Sequence, residues 1–294
     1  MCDTQTIASK RTAKDCLFTD LFSDPKYVWL LYQALHPEDK TASPADLKTV
    51  TIKSIIAEHP YNDLGFQVGR RLLILVEAQN TWTPNILIRS FCYAAQTYVD
   101  YFSEQGKSLY ENVKVELPIP ELYILFTGKR KHKVRLISLR EHFFKGKRCD
   151  IEVKTRVIYA GKKGDIIYQY ITFCNVLDQQ VKLYGKSRKA LQETIRICKS
   201  KDILNDYLKT RERELMNIMT ALFDQEEVTK ALIASKEASA EKRGKKEGML
   251  QMAIKSWQMF GKSFLETRQY IQTELKLNDK QADEAMKAYW VENS

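Results

Sequence analysis

Apolar and polar residues recur along this chain with two different periods, and the changes of period mark out its elements. Over 14–22, Leu17, Phe18, Leu21 and Phe22 recur at helical spacing. Asp24 and Pro25 read as an N-cap followed by proline at the first helical position, so a second helix is predicted to run to about Leu35 and stop before Pro37. The segment 50–58, with Ile52, Ile55 and Ile56, is predicted as a first strand. A short strand over 62–68 and another over 72–79 follow, the latter starting as a continuous apolar run that suits burial on both faces. Gly69 and Arg70 between them supply a tight turn, which predicts a β-hairpin. Thr83 as N-cap and Pro84 at the first helical position open a long helix to about Phe102. Its expected buried stripe is Leu87, Phe91, Ala94, Ala95, Tyr98 and Phe102, with Arg89, Tyr93 and Gln96 on the opposing face. A buried strand over 122–126 is expected to lie parallel to the hairpin after this helical crossover, followed by a late edge strand over 151–159 and a helix over 165–183. From 186 onward the pattern is almost wholly helical. Helices are expected over 190–198 and 203–223, then a polar stretch over 234–248 that Gly244 and Gly248 weaken into a linker. Three short helices follow in 249–290, divided at Gly261 and at Asn278 and Asp279.

The hairpin carries the candidate chemistry. Pairing about its turn brings Asp63 opposite Glu77 to within about one residue of register. Strand side chains alternate with period two, so Glu77 and Gln79 share a face and Ala78 takes the other. Asp63, Glu77 and Gln79 are thus expected to converge at one strand end. Two carboxylates held that close repel each other unless a cation lies between them, and hard oxygen ligands suit Mg²⁺ or Mn²⁺. Such an ion polarises a phosphate and lowers the pKa of an attacking water, which is the means of cutting a phosphodiester. The plainer alternatives are a strand-end carboxylate for Asp63 and a charge at a solvated sheet edge for Glu77.

An aspartate, a hairpin, and then Glu-x-Gln after a hydrophobic strand resemble the PD-(D/E)XK nuclease superfamily, in the variant with Gln in place of the usual Lys. Within it the chain resembles the recombination-promoting nuclease (Rpn) family, also described as PD-(D/E)XK family transposases. KDCLFTDLF over 14–22, LYQALHPED over 31–39, YNDLGF over 61–66, LILVEAQNTW over 73–82 and IRSFCYAAQTY over 88–98 carry the likeness, which extends to about Tyr184. It implies an α/β core of the restriction-endonuclease type, with a mixed central sheet flanked by helices, and metal-dependent hydrolysis of DNA. Asp63 and Glu77 would hold Mg²⁺ or Mn²⁺, the Ala78 carbonyl would complete its coordination, and Gln79 would position water or the scissile phosphate. Pro60 lies three positions before Asp63 and not beside it. Gln79 donates a hydrogen bond but carries no charge, so Arg70, Arg71 or Arg89 is a candidate for the missing cation. The resemblance also places Arg89 and Tyr93 beside the site, as candidates to hold a backbone phosphate. An acidic residue of the preceding helix, Asp15 or Asp20, is a candidate further ligand; capping or solvent-facing roles are the alternative.

Charge adds a partner to this picture. The 294 residues hold 47 Lys and Arg against 37 Asp and Glu, a formal net charge of +10 that favours a polyanion. The most basic stretch, 128–148, includes Lys129, Arg130, Lys131, Lys133, Arg135 and Arg140, and is either a groove tracking DNA phosphates or a solvated basic loop. The six cysteines form no C-x-x-C pair, which fits reduced thiols in a cytoplasm, and no apolar segment approaches the roughly 20 residues needed to span a bilayer. The expected organisation is a nuclease-like domain over 10–184, a helical extension over 185–233, a linker over 234–248 and a small helical module over 249–294. That module could bind DNA, join two copies into a homodimer, or close off the core. The rival to a DNA endonuclease is a DNA-binding or mobile-element accessory protein whose catalysis has decayed.

Overall fold

The computed structural model describes residues 12–52, 63–78, 83–106, 110, 112, 114–128 and 134–291, with the side chains of 75–78 and 242 outside that description. The chain divides into two compact units, Met1–Asp224 and Gln225–Ser294. The first is an α/β unit built on a six-stranded mixed sheet. Its strands are β1 (Leu47–Val50), β2 (Leu64–Val68), β3 (Arg71–Ala78), β4 (Ile119–Phe126), β5 (Leu136–Ser138) and β6 (Lys154–Ile158), in the spatial order β1-β2-β3-β4-β6-β5. β1, β2 and β3 pair antiparallel; β3, β4 and β6 run parallel; β5 closes antiparallel against β6. Around the sheet lie α1 (Ala13–Leu21), α2 (Pro25–Leu35), α3 (Ile86–Glu104), α4 (Leu139–Phe143), α5 (Ile166–Tyr184), α6 (Arg188–Ser200) and the start of α7 (Asn205–Met259).

Local signals explain most of these bounds. Asp24 accepts a hydrogen bond from the Lys26 amide at 2.8 Å and Pro25 fills the first helical position, so α2 starts where its cap dictates. Val68 pairs with Arg71 across a two-residue turn whose first residue, Gly69, has φ 55°, a conformation an L side chain resists. Ahead of α3, the Thr83 hydroxyl accepts from the Asn85 amide at 3.3 Å, forming a turn before the helix, which begins at Ile86 instead of Pro84.

Period-two alternation sends the sheet's side chains into two cores. Phe66, Val68, Leu73, Tyr123 and Leu125 pack with α1, α2, α5 and α6; Leu72, Ile74, Ile124, Phe126 and Val157 pack with α3 on the other face. Both faces being covered, the unbroken apolar run of β3 is a requirement of its place in the sheet. α3 is the crossover that lets β4 lie parallel to β3, as expected. Strand β6, by contrast, is interior and not an edge. The apolar residues Leu136 and Ile137, set within the basic stretch, form β5 and take the edge position.

In the second unit, the remainder of α7, α8 (Phe264–Glu274) and α9 (Asp279–Tyr289) enclose a small core of Leu250, Ile254, Ile271, Leu277, Ala285 and Met286. Asn278 caps α9 through the Gln281 amide at 2.9 Å. α7 runs unbroken through 234–248, where the sequence suggested a linker. The Ala, Lys and Glu around Gly244 and Gly248 outweigh a penalty of about 1 kcal/mol per glycine. Among the described residues, none from 224 to 249 is buried. Nor is any described helix long and apolar enough to cross a membrane.

One glycine is fixed by space alone. Asp165 caps α5, its Oδ1 accepting from the Tyr168 amide and its Oδ2 from the Lys162 amide, both at 2.7 Å. A Cβ on Gly161 would sit 2.1 Å from that Oδ1 and 2.5 Å from the Tyr168 nitrogen. Gly161→Ala is therefore expected to cost about 1–2 kcal/mol, the worth of an N-cap. Thermal denaturation checks this, and an unchanged melting temperature would refute it.

Candidate functional site

Asp63 stands one residue ahead of β2, at the end of the sheet where β3 and β4 finish. The ladder's last pair is Leu64 with Leu75, so one further step sets Asp63 against Val76, a single position from Glu77. The backbone of Glu77 pairs with Leu125 and that of Ala78 with Phe126. The side chain of Glu77, all of Gln79, and Lys129, Arg130, Lys131 and Lys133 lie outside the described residues. The carboxyl ends of parallel strands are where open α/β sheets place ligands. Thr127, one residue past β4, sits at this end too, buried, with its Oγ1 making no hydrogen bond among the described residues.

The Asp63 side chain is only 2% exposed and takes a hydrogen bond from Arg89 Nη2 at 3.0 Å. Arg89 lies in the first turn of α3, and its guanidinium is 5.9 Å from the centre of the Tyr93 ring, one helical turn on. Burial opposes the charge on Arg89, but Asp63 and Tyr93 beside it outweigh burial and raise its pKa. Burial, then the Asp63 charge, raises the pKa of the Tyr93 phenol. Of the three arginines proposed for the missing cation, Arg89 alone is paired with Asp63. Arg71 is bound to Glu121, and Arg70 is exposed in the hairpin turn at the opposite end of β3.

The α3 face read from sequence is rotated. Tyr93 is 1% exposed and packs in the core, while Phe91 and Ala95 face outward. Tyr93 therefore does not present a solvent face to a phosphate. Serine and threonine make this rotation affordable, because Ser90 Oγ donates to the Ile86 carbonyl at 2.9 Å and Thr97 Oγ1 to the Tyr93 carbonyl at 2.7 Å. Their polarity is satisfied inside the helix, leaving small, buried surfaces against the sheet.

The candidate acids of α1 have other partners. Asp15 forms a capping box with Thr12, accepting from its amide at 2.7 Å. Asp20 accepts from Tyr207 at 2.5 Å and from Arg211, tying α1 to α7; burial would raise its pKa, yet these donors hold it below the usual value. In the described part of the basic stretch, Arg135, Arg140, Lys145, Lys147 and Arg148 are all exposed, and Arg140 lies 3.4 Å from Glu141. Among the described residues, no group of three or more His, Cys, Asp or Glu is placed to hold a metal ion. Asp63 supplies one buried hard oxygen donor at this strand end, and Ala78 a backbone carbonyl on the neighbouring strand.

A second polar cluster escaped the sequence reading. Glu121, buried near the start of β4, accepts from Arg71 at 2.6 Å, from Tyr123 at 2.6 Å and from Arg156 at 3.0 Å. His36, at the C-cap of α2, lies between two carboxylates, with Nε2 3.1 Å from Glu121 and Nδ1 2.9 Å from Glu38. Burial works against the Glu121 charge, but the hydrogen bonds from His36, Tyr123 and Arg71 hold its pKa far below the ordinary value. Donating to the Glu121 and Glu38 carboxylates raises the pKa of His36 against burial. The one sequence signal was a carboxylate inside the otherwise apolar strand IPELYILF. No protein-family model, curated protein or solved structure matches the chain.

Proposed function

We propose that the chain is a metal-dependent DNA endonuclease with a core of the PD-(D/E)XK type. The observation that carries this reading is the pairing of the buried Asp63 side chain with part-exposed Arg89, set at the carboxyl end of the parallel strands and one register step from Glu77. Asp63 and Glu77 are assigned to hold Mg²⁺ or Mn²⁺ with the Ala78 carbonyl, which requires the Glu77 carboxylate to reach Asp63 around the strand end. The ion, when bound, supplies Lewis acidity to the scissile phosphate and a water of lowered pKa. Asp63 orients the Arg89 guanidinium, which is 32% exposed and so within reach of a phosphate oxygen. Gln79 donates a hydrogen bond to the water or to the phosphate and moves no proton. The attacking water would form a new P–O bond as the bond from phosphorus to the leaving sugar oxygen breaks, the water's proton passing to solvent and the leaving oxygen taking a proton from solvent.

A decayed, DNA-binding relative is the second reading. It is favoured by the same pair, since Arg89 already neutralises Asp63, and by Gln79 in the place of a lysine. Incubating supercoiled plasmid with the purified protein and Mg²⁺, Mn²⁺ or EDTA separates the two. Nicking with either metal and none with EDTA is expected; DNA binding without metal-dependent nicking would favour the second reading.

A further inference from the structure

Helices α6 and α7 enclose a groove of about 570 Å³ within the first unit. Arg188 and Gln192 line one wall at i and i+4 of α6, and Lys209, Arg213 and Asn217 line the other at i, i+4 and i+8 of α7. Each wall thus presents a row of hydrogen-bond donors one helical turn apart. The lining's only carboxylate is Glu212, and it is paired with Lys199. Lys209 lies 3.5 Å from Asp206, with both side chains well exposed, a contact worth little in water. Among the described residues, Arg188 and Arg213 make no ion pair. Cations facing one another across a concavity repel, which costs stability unless an anion enters. The arrangement is also extended along two helices, suiting successive anionic groups more than one compact ion.

We propose that this α6–α7 groove binds the phosphodiester backbone of a nucleic acid strand, with Arg188 and Arg213 as its principal contacts. The proposal shares its ligand with the function argued above but none of its residues, and it stands whether or not Asp63 and Glu77 support cleavage. Contacts of this kind are to phosphates, so the groove fixes position on the strand and is indifferent to base sequence.

The test is binding of fluorescently labelled duplex and single-stranded DNA to the full chain across a salt series, with EDTA present so that no cleavage intervenes. The variant is Arg188→Glu with Arg213→Glu. The control is Lys162→Glu with Lys163→Glu, which alters net charge identically at two exposed lysines outside the groove. The groove variant is expected to lose about tenfold or more in affinity and to flatten the salt slope by about two. The control is expected to change both far less, and both proteins should melt with the parent. Equal losses in variant and control would reduce the effect to bulk charge and overturn the proposal. Saturable binding of inorganic phosphate that the groove variant abolishes, with DNA binding unchanged, would overturn it in favour of a small-anion site. Should Asp63→Asn bind DNA like the parent without cutting it, and the groove variant fail to bind, the groove stands independently of the hydrolytic reading.

Discussion

Asp63→Asn and Glu77→Gln are each expected to lower metal-dependent plasmid cleavage roughly 10³-fold, about 4 kcal/mol of barrier, with Asp63→Asn lowering the melting temperature less than Asp63→Ala does, since the amide still accepts a hydrogen bond from Arg89. The amide is the informative replacement because it keeps the size of the side chain and a carbonyl oxygen that accepts from Arg89, while it removes the charge and exchanges the second oxygen for an NH2. Asp63→Ala is a poorer test. The carboxylate is 2% exposed and Arg89 32% exposed, so truncation strands a guanidinium in a mostly dry place, at an expected cost of about 2–4 kcal/mol. Loss of activity in that variant would mix chemistry with unfolding. Undiminished cutting by the purified Asp63→Asn, Glu77→Gln double variant would dispose of the site.

Glu121→Ala is expected to lower the melting temperature by roughly 5–15 °C, from a loss of about 2–4 kcal/mol. The carboxylate is buried and serves four groups, so its removal leaves Arg71, Arg156, His36 and the Tyr123 hydroxyl without their common acceptor. The figure lies below the range for a fully buried pair because Arg71 and Arg156 are 40% and 57% exposed and partly solvated already. Two titrations shape its pH dependence. The His36 pKa is raised from 6.5, so its contribution is complete below 6.5 and fades as pH rises through the folded-state value. The Glu121 pKa is depressed from 4.5, so its contribution is complete above 4.5 and fades only as pH falls through the folded-state value. Between those bounds both act together. The gap in melting temperature between parent and variant is thus expected to be wider at about pH 5.5 than at about pH 8.5. A gap that widens toward alkaline pH would show that His36 is not charged in the folded protein.

The parts of the fold legible in the sequence were those with a local cause. Asp24 and Pro25 set the start of α2, Gly69 set the hairpin, and Asn278 set α9, each by rules operating over a few residues. The parallel pairing of β3 and β4 followed from a long helix lying between two apolar strands. The face of α3 was misread because Phe91 looks like core and Ser90 and Thr97 do not. Only the hydroxyl-to-carbonyl bonds within the helix, and the fit of Tyr93 against the sheet, decide otherwise. The Asp63–Arg89 pair spans 26 positions, and Arg89 was legible as a cation near the site but not as the partner of that carboxylate. The Glu121 cluster lay further from view still, with Tyr123 and His36 separated by 87 positions. No spacing rule connects residues that meet only after a sheet has closed.

The two-residue turn at Gly69 also bears on the order in which the chain can fold. Joining β2 to β3 requires almost no loop closure, whereas aligning β3 with β4 must first bring together the ends of the whole α3 crossover. Contacts between near neighbours are rewarded early and distant strand pairing late. The strand end bearing Asp63 and Glu77 can therefore take shape in the nascent hairpin, while the parallel half of the sheet awaits the docking of α3.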